Sequence, residues 1–187
     1  MLWNVEDPAF EFKIIDSPQA LEASIREKAD QGFTARLAAG FCWPWSDPRP
    51  DGTLVEDVVI GEYKRPWNAK SDGGHLATGI PKESLWAYQK GGINQVGCIY
   101  TAQGFEFDYV GVIFGVDLVY DASLATWKAD LAASADTVVR RSPDTFLKNV
   151  KNTYRVLLSR GLKGCFVHFL DKPTENFFRS RMESVGR

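Results

Sequence analysis

QVGCIYTAQGFEFDYVGVIF, residues 95–114, is the stretch on which the fold turns. Its two ends, Gln95 to Thr101 and Tyr109 to Phe114, are nearly unbroken apolar runs, too short for membrane spans and without polar alternation. Runs of that kind are expected of strands in a sheet covered on both faces, which is the habit of parallel sheets. Between them, Ala102 to Phe107 reads as a loop, with Gly104 at its centre.

Working outward, helical and extended segments alternate, the pattern of an α/β fold with a mainly parallel sheet in three layers. Downstream, Ser142-Pro143-Asp144 opens a helix carrying Phe146, Leu147, Val150, Tyr154, Leu157 and Leu158 at helical spacing, with Gly161 as its stop. Cys165 to Leu170 follows as a strand. Upstream, Phe10 to Ile15 reads as a first strand. Ser17 and Pro18 supply an N-cap and a first-turn proline for a helix over Gln19 to Gln31. Arg36 to Cys42 is a further buried strand. Residues 44–92 are irregular, with turn chemistry around Pro44 to Gly52, a strand over Val58 to Tyr63 and a short helix over Glu83 to Lys90. The expectation is one domain over 1–187, with its core at about 10–171 and residues 44–92 as an elaboration on the sheet.

Composition narrows the function classes. Twenty-two basic residues face 24 acidic ones, for a net charge of -2, so the chain has no overall basic excess with which to grip duplex phosphates alone. Basic residues thicken only late, from Arg140 to Lys163. Cys42, Cys98 and Cys165 lie far apart in apolar runs, and neither histidine adds metal-ligand spacing, so no metal site is expected. Buried reduced thiols and the absence of a long apolar run or leader point to a cytoplasmic protein with no membrane partner.

One absence matters most. No G-x-x-x-x-G-K-[ST] occurs, so no loop of this chain cradles a triphosphate with its Lys and Mg-binding hydroxyl.

Two segments carry a resemblance: TAQGFEFDYV at 101–110 and NTYRVLLSRG at 152–161. Together they resemble motifs V and VI of superfamily 1 helicases. The pair is more similar still to a bacterial helicase-like family, the Schlafen-group-3-like DNA/RNA helicase domain, and the segments around Arg36 to Trp43 and Pro66 to Asn68 share that likeness. It spans about residues 10–171 and implies the C-terminal RecA-like half of an ATP-driven motor, a P-loop NTPase fold without its own P-loop. On that reading ATP and Mg are held mainly by an N-terminal RecA-like domain of the same parent protein, and DNA or RNA is the track. The isolated chain is then inactive as an ATPase.

The resemblance also implies roles. Arg160 is the first choice for an arginine reaching across the cleft to the transferred phosphoryl group, a task suited to an always-ionised, rigid fork of donors. Arg155 is the second choice, although five helical residues place it about 140° round from Arg160. Glu106 would accept from the ribose, Gln103 would couple nucleotide to nucleic acid, Gly104 would let the backbone approach, and Arg36 would add a phosphate contact. Thr101, Trp67 and Asn68 would face nucleic acid, with Trp43 and Trp45 as further stacking candidates.

Plainer readings stand beside these. Gln103 to Glu106 would also make an ordinary tight turn, Arg160 would also serve a helix C-terminus as a cation, Arg155 an ion pair, and the tryptophans a core. His75 has no partner in sequence. Two other functions remain open: a stand-alone degenerate module binding nucleic acid or protein, and a hydrolase gathering Glu106, Asp108 and His168, which requires those three within about 3–7 Å.

Overall fold

The computed structural model describes residues 10–70 and 73–185. In chain order its elements are β1 (Glu11–Ile14), α1 (Pro18–Asp30), β2 (Ala35–Ala39), β3 (Val58–Ile60), β4 (Tyr63–Arg65) and β5 (Val96–Gly97). There follow α2 (Ile99–Ala102), β6 (Phe107–Phe114), β7 (Leu118–Asp121), β8 (Thr126–Ala129), α3 (Phe146–Leu158), β9 (Gly161–Phe169) and α4 (Lys172–Val185).

β1, β9, β6, β2 and β5 pair in that order as one all-parallel sheet. Side chains of β6 alternate between its faces, as a pleated strand requires. Val110, Val112 and Phe114 pack with Tyr154 and Leu157 of α3, and Tyr109 and Ile113 pack with Leu21 and Ile25 of α1. Helices therefore cover both faces, which is why the strands are apolar throughout; the architecture is the three-layer α/β arrangement expected. The Ser17 cap is present, its Oγ accepting from Ala20 N at 3.1 Å.

Several element assignments change. The run at 95–101 is strand only at Val96–Gly97 and then turns into α2, closed by Ala102 N to the Cys98 carbonyl at 2.8 Å. A short apolar run suits a buried strand and a buried helical turn equally, so hydrophobicity alone does not separate them. Gly161 does not stop the helix; α3 ends at Leu158 and Gly161 is the first residue of β9. Val58 to Tyr63 is the hairpin β3–β4, and Glu83 to Lys90 gives 3-10 turns at Glu83–Leu85 and Lys90–Asn94. The β7–β8 hairpin and α4 had no sequence signal of their own. α4 packs Phe178 on Phe114 and Phe169, and Phe177 on Tyr120 and Trp127.

The tryptophans explain how the irregular region holds its shape. Each of three indole N–H groups donates to a backbone carbonyl within it: Trp43 to Val59 at 2.9 Å, Trp45 to Asn68 at 2.9 Å and Trp67 to Pro44 at 2.8 Å. Phe41 stacks on Trp67 at 5.6 Å. These contacts dock the loop onto the α1 side of the sheet, where regular hydrogen bonding is lacking.

Candidate nucleotide and nucleic-acid site

The two motif-bearing segments meet at the sheet edge where β6 and β9 begin. Phe107 N donates to the Arg160 carbonyl at 2.8 Å, so the loop at 103–106 and the end of α3 lie side by side. The Arg160 side chain is half-buried and folds over that junction. Its Nη1 donates to the carbonyls of Gln103 at 3.3 Å and Phe105 at 3.5 Å, Nε to that of Val156 at 3.2 Å, and Nη2 to Ser159 Oγ at 3.4 Å. All four bonds are longer than the usual 2.9–3.0 Å, so the guanidinium is held loosely.

Gln103, Gly104 and Glu106 are exposed beside it. A Cβ placed on Gly104 would meet nothing within 4 Å, and its φ is an ordinary one, so the fold does not demand glycine there. A cation held by long bonds, an exposed carboxylate and open backbone thus lie in one place.

Other candidates lie elsewhere. Arg155 is exposed on α3, donating to Asn152 Oδ1 at 3.1 Å, and does not join Arg160. Arg36 is a correction. It is 7% exposed, and its guanidinium donates to the carbonyls of Ala35 (2.8 Å), Trp86 (3.1 Å) and Gln89 (2.8 Å), so it braces the interior and presents no fork to a phosphate. Burial lowers its pKa from the ordinary arginine value. Trp67 and Asn68, each 1% exposed, have no surface on which a base could stack or bond. Thr101 is also buried, its Oγ1 3.7 Å from Cys98 Sγ on the inner side of α2.

The hydrolase constellation does not form. His168 pairs with Ile113 in the β6–β9 register, five residues along β6 from Asp108, which at about 3.3 Å per residue separates them by roughly 16 Å. Asp108 is instead a clasp. It accepts from Thr34 N at 2.9 Å and Thr34 Oγ1 at 3.0 Å and pairs with Lys163 at 3.0 Å; the Thr34 backbone bond, then Lys163, holds its carboxyl below the usual range. His168 Nδ1 lies 3.0 Å from the Ile15 carbonyl.

At the opposite edge, the ends of β2 and β6 flank the place where chain direction across the sheet reverses, the usual ligand crevice of an open α/β sheet. Here it is filled. Tyr154 Oη donates to Asp117 Oδ1 at 2.5 Å and accepts from Gly115 N at 2.8 Å, and a Cβ on Gly40 would collide with that hydroxyl. Burial drives the Tyr154 phenol and the Cys42 thiol upward, and it raises Asp117 against the lowering effect of bonds from Tyr154 and Cys42. Sequence reading took Tyr154 for a core aromatic and passed over Asp117. The pairing of strand-end glycines at 40 and 115 was the available signal.

Among the described residues no group of three or more His, Cys, Asp or Glu is arranged to hold a metal ion, and no helix is long and apolar enough to cross a membrane.

Comparison with known proteins agrees with the geometry. Residues 3–171 match the model of the Schlafen group 3 DNA/RNA helicase domain. The chain is 29% identical over 170 residues to the uncharacterized protein YPL245W of Saccharomyces cerevisiae, covering 87% of this chain and 35% of that protein. It thus spans about a third of the relative's length. No solved structure matches. With its two motif segments joined at one sheet edge and its matched region running nearly end to end, the chain belongs to the Schlafen group 3 DNA/RNA helicase domain family.

Proposed function

We propose that this chain is the second RecA-like half of an ATP-dependent DNA or RNA helicase or translocase. The observation that carries the reading is the meeting of Arg160 with the exposed loop Gln103–Glu106 at one open edge, while the chain's own strand-end crevice is filled by Tyr154. The nucleotide would enter from that edge, gripped by a P-loop and Mg site on an upstream domain.

This chain's own contributions follow from its chemistry. Arg160 exchanges four long bonds for charge-assisted ones to the phosphoryl oxygens, an exchange that costs little and favours the charge developing in the transition state. Its release from the Gln103 and Phe105 carbonyls frees the loop, so nucleotide state is passed to Gln103. Glu106 accepts from the ribose. Residues 44–92 form an elaboration of the same domain, and a cytoplasmic setting suits the reduced thiols.

The test compares nucleic-acid-stimulated ATP hydrolysis by this chain with that of the protein carrying its upstream half. Turnover is expected only in the longer protein, with Arg160→Ala lowering kcat about 10³-fold or more at unchanged melting temperature. Turnover by the chain alone overturns the reading. A fully active Arg160→Ala removes Arg160 from the mechanism, and absence of activity in both proteins favours a binding module.

A further inference from the structure

We infer that Tyr88 is a stacking platform for a heteroaromatic base beside the Gln103–Glu106 loop. This deepens the reading just given and rests on that loop handling a nucleotide or an unpaired strand.

Tyr88 is 74% exposed, whereas the tryptophans and phenylalanines among the described residues are wholly or partly buried. Its ring stands at 90° to that of Phe105, centroids 5.3 Å apart, an edge contact that fixes the ring and leaves area open to solvent. The Phe105 carbonyl is one of those that Arg160 Nη1 reaches, and Gly104, with open space around it, is the next residue. Tyr88 and the site's cation therefore both touch Phe105, the first at its ring and the second at its carbonyl.

The turn that carries Tyr88 is braced from beneath. Arg36 Nε and Nη2 donate to the carbonyls of Trp86 and Gln89, which flank Tyr88 on either side. Tyr88 N and Gln89 N both donate to the Leu85 carbonyl, at 3.1 and 2.9 Å. Arg36 forms no ion pair among the described residues, so a buried cation is devoted to three carbonyls. An apolar side chain would fill that space at lower desolvation cost. What the arginine adds is a fixed geometry for a turn that exposes an aromatic ring.

An exposed ring against Phe105, whose own carbonyl Arg160 reaches, offers separate places for the parts of a nucleotide: the base on Tyr88, the phosphate on Arg160. A base on a free nucleotide and an unpaired base in a strand share this chemistry.

The experiment separates them. The chain is titrated with ADP against inorganic pyrophosphate, and with a labelled single-stranded oligonucleotide against an abasic strand of equal length. We expect a base-dependent gain in at least one pair. Tyr88→Ala should lose about tenfold on the base-bearing ligand only, within the range of base–aromatic stacking, while Tyr88→Phe retains it. The pair that responds identifies the source of the base. Equal binding of the base-bearing and baseless ligands in both pairs, or Tyr88→Ala indistinguishable from the parent chain, overturns the proposal. Arg160→Ala keeps the base preference while weakening both members of the ADP pair alike. A Tyr88 effect that persists while the longer protein shows no ATP turnover therefore counts against the motor reading alone.

Discussion

A methyl group added at Gly104 would meet no atom within 4 Å, whereas one added at Gly115 would run into Cys42 Sγ and, at 3.0 Å, Tyr154 Oη. Gly115→Ala should therefore destabilise the chain by about 1–3 kcal/mol, the usual cost of overpacking, and Gly104→Ala should leave the thermal midpoint unchanged. Thermal denaturation of the two variants checks this. A midpoint lowered equally by both would mean that Gly104 is fixed by the fold after all. In the two-domain protein, Gly104→Ala should then lower ATP turnover at unchanged stability. Residue identity alone announced neither difference, since both glycines follow the same turn logic and only the chain packed around them separates them. That Arg160 lies at a helix end before a strand was legible, because it is a local feature; the role proposed for it came from the resemblance. Arg36 was not, because the carbonyls it serves lie 50 and 53 residues away.

α3 divides cleanly. Phe146, Val150, Tyr154, Leu157 and Leu158 are buried, while Lys148, Lys151, Asn152 and Arg155 fall within about 100° of arc on the other side. That outer face lines a shallow groove together with Leu147. Residues 139–163 hold seven basic side chains and one acidic, in a chain of net charge -2, and none of the three helix cations is ion-paired among the described residues. On the proposed function, such a stripe would meet the phosphodiester backbone. With single-stranded DNA, replacing Lys148, Lys151 and Arg155 by Ala should flatten the plot of log affinity against log salt by about 2, at roughly 0.7 per lost phosphate contact. An unchanged slope would show the stripe to be solvated and no more. Elements of this kind, with a full helical period, were readable from sequence, as were β1, α1, β6 and β9. What escaped was short or lacked a period of its own: α2, where an apolar run continues past a two-residue strand, and β7–β8 and α4, whose aromatic residues make sense only against one another and the sheet's Phe114 and Phe169.

On the scale of the whole molecule, the two ends of the sheet differ in how they are filled. At the start of β6 and β9 the Gln103–Glu106 loop is exposed and Arg160 is held by long bonds, whereas the end of β2 and β6 is closed around Tyr154, Asp117 and Cys42. Closure should carry a cost that depends on pH. Burial raises the Asp117 pKa, with the neighbouring Asp136 carboxyl adding to the rise, and the bonds from Tyr154 and Cys42 do not offset it. A carboxyl whose folded pKa lies above its unfolded one contributes stability that is present at low pH and is lost as pH climbs from about 4 through the folded value. The clasp at Asp108 and the ion-paired Glu22 behave in the opposite sense. Thr34 and Lys163 lower the first; burial pushes Glu22 up, but Arg65 and Arg26 outweigh it, so both lose their contribution as pH falls. Asp117→Asn keeps an oxygen to accept from Tyr154 and removes only the titration at that site. The midpoint of the variant minus that of the parent chain should therefore rise with pH from about 4 toward neutrality, while the acid-side losses, common to both proteins, cancel in the difference. A flat difference would mean that the closed edge holds its carboxylate without penalty, and that the filled crevice places no electrostatic strain on the domain.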